Sequence, residues 1–236
     1  MTMLKRLAQR VNDWERSLHN RYTHDISDPA ERRRSHFYVR WLDHGVLRTF
    51  WTNHAEVAPG VWRSNHPAHE RLADLAAEGF KTILNLRGGF HLAHHKFEKE
   101  SCARLGMRLV DVPMSARTAP DPKTLLNLIR ALGEVEKPVL MHCKSGADRT
   151  GLAAAIYLME YAGAPLEVAR RQLSPRFLHF RRSKTGILDH VLDLYGARLA
   201  QGPIRFADWV ETEYDMAAAA RGFAERQARR GLFGRG

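Results

Sequence analysis

The chain has 236 residues, 44% of them hydrophobic, which is enough for one substantial core with room for an appended arm. It contains no run of about 18 apolar residues, so we predict no membrane-spanning helix, and its N-terminus lacks the apolar core of a secretory signal. Two cysteines, Cys102 and Cys143, do not make a disulfide framework. These features predict a cytoplasmic protein, since thiols stay reduced there.

The net charge of +11 predicts a negatively charged partner. Candidates are a phosphorylated protein, a phosphorylated lipid or inositol phosphate, and an anionic membrane surface. Nucleic acid is not expected, because the sequence shows no zinc-ligand spacing, no aromatic–basic RNA-binding signature and no clear recognition helix.

The N-terminal 21 residues repeat apolar side chains at steps of three and four, with basic residues between them. This pattern is typical of an amphipathic helix. Two interpretations stay open. The helix either packs on the rest of the protein or on a second copy, or it lies on an anionic membrane and holds the protein at the inner face of that membrane.

After residue 52, predicted strands and helices alternate. Strands are expected at 57–64, 81–87, 107–112 and 138–141, and helices at 69–78, 91–105, 122–135, 150–161, 166–173, 185–199 and from Phe206 into an Ala-rich segment with a basic tail. The alternation predicts an α/β fold with a mainly parallel central sheet, helices on both faces and a ligand at the carboxyl ends of the strands. We predict three parts: a basic helical arm (1–52), a catalytic domain (53–200), and a C-terminal helix and tail (201–236).

The most informative segment is His-Cys-Lys-Ser-Gly-Ala-Asp-Arg-Thr-Gly at residues 142–151, between an apolar strand and an Ala-rich helix. A tight loop in that position turns its N–H groups toward one point, where the helix dipole also favours an anion. There Cys143 is favoured as a thiolate nucleophile, and the planar fork of Arg149 suits two phosphate oxygens. Phosphoryl transfer through a covalent intermediate needs no metal or other cofactor here.

This segment resembles the His-Cys-x5-Arg-Ser/Thr-Gly signature of the cysteine-dependent protein tyrosine and dual-specificity phosphatases. The segments PGVWRSNHP and KTILNLRG are similar to the early strands of small bacterial members, so the resemblance covers about residues 53–200. It implies that Cys143 is the nucleophile, Arg149 the phosphate-binding arginine and Thr150 a hydroxyl that assists turnover. The implied phosphate cradle consists of Lys144, Ser145, Gly146, Ala147, Asp148 and Arg149.

The resemblance implies hydrolysis of phosphate monoesters on phosphotyrosine, phosphoserine or phosphothreonine proteins. An alternative substrate is a phospholipid, a lipid-linked sugar phosphate or an inositol phosphate at the membrane surface, which Lys144 beside the nucleophile favours. An alternative of another class is a non-catalytic phosphate-binding module.

The general acid is the open point. Members of this family usually carry an aspartate on the loop after the third strand, where this chain has Ser115 and Ala116. Asp148 is the first candidate, because Gly-x-Asp-Arg-Thr resembles the myotubularin lipid phosphatases, in which an aspartate at this position is a proposed acid. Asp111 and Asp121 are the alternatives, as is the absence of any side-chain acid.

Other polar residues have weaker signals. His91, His94 and His95 have the helical spacing of metal ligands, but no carboxylate or cysteine pattern accompanies them, so we expect solvent-facing histidines and no metal site. His142 is expected to brace the cysteine loop. Arg63, at a strand end, is expected to shape the site or to pair with an acid.

Overall fold

The computed structural model describes residues 26–43 and 45–233. The strands are β1 (Ala55–Ala58), β2 (Val61–Asn65), β3 (Thr82–Asn85), β4 (Arg108–Asp111) and β5 (Val139–Cys143). The helices are α1 (Pro29–Phe37), α2 (Gly45–Phe50), α3 (His69–Ala77), α4 (Ala93–Arg104), α5 (Pro122–Glu134), α6 (Asp148–Tyr161), α7 (Leu166–Ala169), α8 (Ile187–Leu199), α9 (Phe206–Thr212) and α10 (Met216–Phe233). The N-terminal amphipathic helix predicted over residues 1–21 lies outside the described residues.

The five strands form one sheet in the order β1-β2-β5-β3-β4. All neighbours are parallel except β1 and β2, which form an antiparallel hairpin at one edge. The predicted α/β fold with a mainly parallel sheet is therefore confirmed, and the sheet is mixed. Crossover helices cover both faces, as parallel strands require.

The central strand β5 contributes side chains to two hydrophobic clusters, one on each face of the sheet. Successive side chains of a strand point to opposite faces. Met141 accordingly packs into the larger cluster with α5, α6, α8 and α9, whereas Leu140 packs into the smaller cluster with α3 and α4. Because every residue of β5 is buried, its carboxyl end at Cys143 is held rigidly from both sides.

The predicted last helix is instead two helices, α9 and α10. The backbone N–H of Tyr214 bonds to the Trp209 carbonyl and ends α9, while the Asp215 carboxylate accepts from the N–H groups of Ala217 and Ala218 and begins α10. An aspartate before an Ala-rich run is a helix-capping signal, so this break was visible in the sequence. α10 continues to Phe233, through most of the predicted basic tail.

We expect Trp209→Ala to lower the free energy of unfolding by about 3–5 kcal/mol, because the indole is a core group of the larger cluster. Trp209 is 4% exposed, and its ring lies 5.1–5.6 Å from those of Tyr195, Phe206 and Tyr214. Urea unfolding measures the loss. Trp41, 55% exposed, is the matched control, and equal losses for the two alanine variants would contradict the packing described.

No helix within residues 26–43 and 45–233 is long and apolar enough to cross a membrane. The predicted boundaries of arm, catalytic domain and C-terminal part stay predictions. Contacts nevertheless cross both boundaries, because the fully buried Asp43 pairs with Arg87, which lies just after β3, and Phe206 belongs to the larger cluster.

Candidate active site

The site lies where three parallel strands end. Cys143 is the last residue of β5 and pairs with Asn65 of β2, while His142 pairs with Asn85 of β3. α6 begins at Asp148, two residues before the predicted start. The loop between β5 and α6 therefore opens at the carboxyl edge of the sheet, with the positive end of the α6 dipole directed at it.

Side chains and backbone groups outside the loop hold its carbonyls turned away from its centre. The Asn53 amide donates to the Ser145 carbonyl at 2.8 Å, and the Arg63 guanidinium donates to the Gly146 carbonyl at 2.6 Å. The His66 N–H donates to the Lys144 carbonyl at 3.3 Å. In a trans peptide the N–H points opposite to the C=O. These outward bonds therefore direct the following N–H groups into the hollow, as anion binding requires.

Among the residues that the structure describes, Arg63 has the largest fully buried side chain. Its guanidinium also donates to Gln172 at 2.6 Å and lies 3.6 Å from the Phe177 ring centroid. Burial lowers the pKa of Arg63 to about 10, so the group is still charged at neutral pH. Arg63 was expected to shape the site, and its hydrogen bond to the Gly146 carbonyl shows how it would do so, by fixing the loop between β5 and α6.

Gly146 occupies a position that no other residue tolerates. Its φ is +71°, and a Cβ there would lie 2.6 Å from backbone atoms of Ser64 and Asn65. We expect Gly146→Ala to lower kcat/KM by roughly 100-fold, because displacing the loop by about 1 Å misaligns the reacting groups. Gly163→Ala is the control, with φ +66° but open space around the new methyl group. Steady-state assays measure kcat/KM of the two variants. Equal values would contradict the proposal that Gly146 is needed to position the loop.

Cys143 has the environment of a nucleophile. Although its complete burial opposes ionisation, the charge of Arg149 and interactions with the Thr150 hydroxyl and the N–H groups of Thr150 and Gly146 lower the pKa of the thiol. A thiolate is the reactive form of cysteine. Cys102, in contrast, lies in the smaller apolar cluster, where burial raises the pKa of its thiol to about 12.

Arg149 extends from the first turn of α6 over the hollow. Its Nη1 donates to the carbonyls of Arg87 at 3.1 Å and Met114 at 3.4 Å. These backbone acceptors orient the guanidinium without neutralising it. The positive charge therefore remains available to an anion held beside Cys143.

A cleft of about 660 Å³ opens above the loop. It is lined by Leu47, Arg48, Trp51, Asn65, Met114, Ser115, Ala116, Arg117, Lys144, Ser145, Asp148, Arg149, Leu178 and Thr185. Its walls thus combine apolar side chains with basic ones. The loop around residues 176–184 contributes Leu178 to the rim.

Asp43 is a site residue that sequence reasoning missed. It is completely buried and lies 2.6 Å from Arg87, 3.0 Å from Arg48 and 3.0 Å from Lys144. Although burial opposes ionisation, these three cations, Arg87 above all, hold the pKa of the Asp43 carboxyl well below its usual range. No local pattern marks this aspartate, because Arg87 and Lys144 come from distant segments. Because the single charge of Asp43 is shared by three cations, it offsets only part of the positive charge of Lys144.

Asp148 lines the cleft, and its carboxylate also contacts the buried imidazole of His179. His179 Nδ1 lies 2.7 Å from its carboxylate, and His179 Nε2 lies 2.6 Å from Asp189. Burial opposes a charge on His179, yet the two carboxylates raise the pKa of this imidazole to about 9. Burial likewise opposes ionisation of Asp148, but hydrogen bonds from His179 and Thr185 lower the pKa of its carboxyl. Asp148, His179 and Asp189 therefore form a charged chain leading inward from the cleft.

The other two acid candidates have partners elsewhere. Asp111 contacts His95 at 3.0 Å and accepts from Asn85 at 2.9 Å. Asp121 caps α5, accepting from the N–H and the hydroxyl of Thr124. Neither lines the cleft.

The expectation of solvent-facing histidines was wrong for two of the three. His91 is exposed, but His94 and His95 are buried in α4. Burial, together with the charge of Arg87, lowers the pKa of His94 to about 2. The helical period alone cannot show which face of α4 meets the sheet. His142, expected to brace the loop, has its Nε2 2.7 Å from Glu98 of α4.

The comparisons with known proteins agree with this geometry. The chain is 31% identical over 122 residues to the dual specificity protein phosphatase TpbA of Pseudomonas aeruginosa, covering 50% of this chain and 51% of that protein. It is 31% identical over 108 residues to the inositol diphosphatase DSP3 of Arabidopsis thaliana, covering 42% and 50%. The chain thus spans about half the length of the curated relatives it matches.

Solved structures give the same result. A crystal structure of P. aeruginosa TpbA superimposes with a TM-score of 0.51 at 27% identity, covering 63% of this chain and 90% of that one. A complex of TpbA with pTyr gives 0.50 at 25% identity, covering 64% and 94%. The family model described as "DSP-PTPase phosphatase fused to NAD+ Kinase" matches residues 46–182, which include the whole loop and more than half of the chain. The chain therefore belongs to this family of dual-specificity, protein-tyrosine-phosphatase-type phosphatases.

Proposed function

We propose that this protein hydrolyses phosphate monoesters through a phospho-Cys143 intermediate. The Cys143 thiolate attacks phosphorus, the P–O bond to the leaving group breaks, and the leaving oxygen takes a proton. Water then attacks the phosphocysteine, the P–S bond breaks, and inorganic phosphate leaves with the thiolate restored. Thr150, whose hydroxyl helps to lower the pKa of the Cys143 thiol, stabilises the thiolate as it departs.

One observation carries this proposal: a thiol of lowered pKa and the guanidinium of Arg149 face the same hollow of inward-directed N–H groups. The transferring phosphoryl group spreads its charge over three oxygens. Loop N–H groups and a planar guanidinium suit that distribution, and they are preorganised by Asn53 and Arg63. A module that only binds phosphate would not need the lowered thiol pKa.

For the proton donor we propose Asp148 acting with His179. Asp148 is the candidate carboxylate that lines the cleft, and His179 carries a proton at neutral pH only 2.7 Å behind it. The pair titrates as a unit: the proton passes from the His179 imidazolium to the Asp148 carboxylate and from there to the leaving oxygen, which leaves His179 neutral. Asp189 fixes the far side of the ring.

Substrates whose leaving groups differ in basicity show whether Asp148 donates a proton or only holds the loop in place. For Asp148→Asn, we expect kcat on an alkyl phosphate to fall by roughly 100-fold, because the alkoxide needs a proton, and kcat on a nitrophenyl phosphate to fall much less. Steady-state assays on both substrates measure the difference. Equal losses on both substrates would mean that Asp148 merely holds the loop in place.

The raised pKa of His179 also predicts a pH dependence of stability. The group titrates near 6.5 when unfolded and near 9 when folded, so its pairing stabilises fully below about pH 6.5 and is lost as pH rises through about 9. The stability difference between wild type and His179→Gln should therefore be largest near pH 6 and shrink toward pH 10. Urea unfolding at each pH measures it, and a difference that grows with pH would contradict the charged chain.

As substrate we propose phosphotyrosine, phosphoserine or phosphothreonine in proteins. Leu47, Trp51, Met114 and Leu178 give the cleft apolar walls against which an aryl or aliphatic side chain can pack. Asp43 offsets part of the Lys144 charge, so the cradle suits a single phosphate more than its sequence suggests. A bacterial dual-specificity relative points the same way.

An inositol phosphate is the second candidate, supported by the plant inositol diphosphatase relative and by Arg48 and Arg117 in the cleft walls. A panel of phosphopeptides, inositol phosphates, phosphoinositides and sugar phosphates, compared by kcat/KM, tests both. The first proposal requires the highest values for phosphopeptides. A cytoplasmic location, a peripheral position at the membrane and the lack of nucleic-acid binding stay predictions.

A further inference from the structure

We propose that His66, Glu98 and His142 bind zinc or a related divalent transition metal in the protein interior, next to the phosphate loop. This site is separate from the phosphatase chemistry and does not depend on the proposed function. The three residues come from three elements: His66 follows β2, Glu98 lies in α4 and His142 lies in β5.

The three side chains converge in a space closed to solvent. His66 is 5%, Glu98 2% and His142 0% exposed. His142 Nε2 lies 2.7 Å and His66 Nδ1 lies 4.0 Å from the same Glu98 oxygen. One ligand atom from each of the three residues lies within 4.8 Å of the other two.

Five buried polar side-chain atoms of this cluster have no hydrogen-bond partner among the described residues. This holds for both Glu98 oxygens, both His142 nitrogens and His66 Nδ1. The 2.7 Å contact between His142 and Glu98 therefore lacks the geometry of a hydrogen bond, despite its length. A buried carboxylate without donors is costly, and so are unpaired imidazole nitrogens. One cation among them would satisfy a lone pair from each of the three residues.

The donor set indicates which cation fits. Two imidazole nitrogens with one carboxylate oxygen suit zinc and related transition metals, whereas calcium and magnesium prefer oxygen ligands throughout. His94 lies beside the cluster, its ring centroid 5.6 Å from that of His66, and its Nδ1 is also buried without a partner. His94 is not one of the three proposed ligands, and we place it only next to the ion.

An ion bound by His66, Glu98 and His142 would stabilise the structure around the phosphate loop. His142 directly precedes Cys143, and the His66 N–H holds the Lys144 carbonyl. An ion at this point would tie α4 to both strands that support the phosphate loop. Metal binding would therefore add to folding stability, as at other structural zinc sites.

The test uses the Cys143→Ser protein, so that the catalytic thiol cannot bind the metal. The protein is unfolded, refolded with zinc chloride or with a chelator, and passed through a desalting column, because the buried site needs opening to load. Bound zinc is measured by plasma mass spectrometry, and Tm by differential scanning calorimetry. We expect about one zinc per chain and a Tm several degrees higher than with chelator.

Added to that background, Glu98→Gln and His66→Asn should each lower bound zinc at least tenfold and remove the Tm difference. The matched controls Glu100→Gln and His69→Asn change the same residue types outside the cluster and should retain both. Two results would overturn the proposal: a parent protein with no bound zinc and equal Tm in both treatments, or zinc retained by Glu98→Gln and His66→Asn. The first result would mean that the cluster is stable without a metal ion.

Discussion

Cys143→Ser is expected to lower kcat by roughly four orders of magnitude or more while leaving the fold intact. The hydroxyl nearly matches the thiol in size but is not ionised at neutral pH, so the positive environment of the loop no longer yields a strong nucleophile. Steady-state hydrolysis of an aryl phosphate measures the loss, and calorimetry checks folding.

The control for this substitution is Cys102→Ser. Cys102 is equally buried but lies in the smaller cluster, away from the loop. Its replacement should cost stability through the buried hydroxyl, yet leave kcat per folded molecule near wild type. The Cys143→Ser protein should still bind phosphate, because Arg149 and the loop N–H groups remain. Wild-type turnover in Cys143→Ser would remove the cysteine from the mechanism.

Arg149→Lys is expected to lower kcat/KM by roughly 100- to 1,000-fold, although the charge is kept. A lysine ammonium cannot present two parallel donors to two phosphate oxygens, and it loses the anchoring to the carbonyls of Arg87 and Met114. The loss should fall mainly in kcat, because the guanidinium binds most strongly as charge shifts in the transition state.

Arg205→Lys is the matched control, since Arg205 pairs with Glu160 near the far end of α6 and lies outside the cleft. It should change kcat/KM by less than about twofold. If Arg149→Lys behaved in the same way, the fork geometry would be irrelevant to the reaction, and a point charge would be sufficient.

Local patterns predicted the fold and the position of the loop between β5 and α6. The alternation of apolar runs and helical periods gave the mainly parallel sheet, and Asp121 marked the start of α5. The sequence could point to this loop because the proposed nucleophile, cradle and arginine lie within one short segment. The placement of Cys143 at the end of a buried strand followed from the same segment.

Contacts between distant segments could not be predicted. Asp43 pairs with cations 44 and 101 positions further along the chain, at Arg87 and Lys144, and nothing beside Asp43 in the sequence marks it. His179 reaches Asp148 across 31 positions, so the charge state of that carboxylate depends on a residue the sequence did not connect with it. The histidines of α4 are buried because that face meets the sheet, which periodicity leaves undecided.

The most direct test of the covalent mechanism is chemical trapping of the intermediate. Wild-type protein is mixed with an aryl phosphate, quenched in acid within the first turnovers and digested, and the peptide carrying Cys143 is analysed by mass spectrometry. We predict a phosphoryl group on the Cys143 sulfur, formed in a burst and absent from Cys143→Ser. Steady turnover by the wild type with no phosphoryl group on this peptide at any quench time would contradict the mechanism.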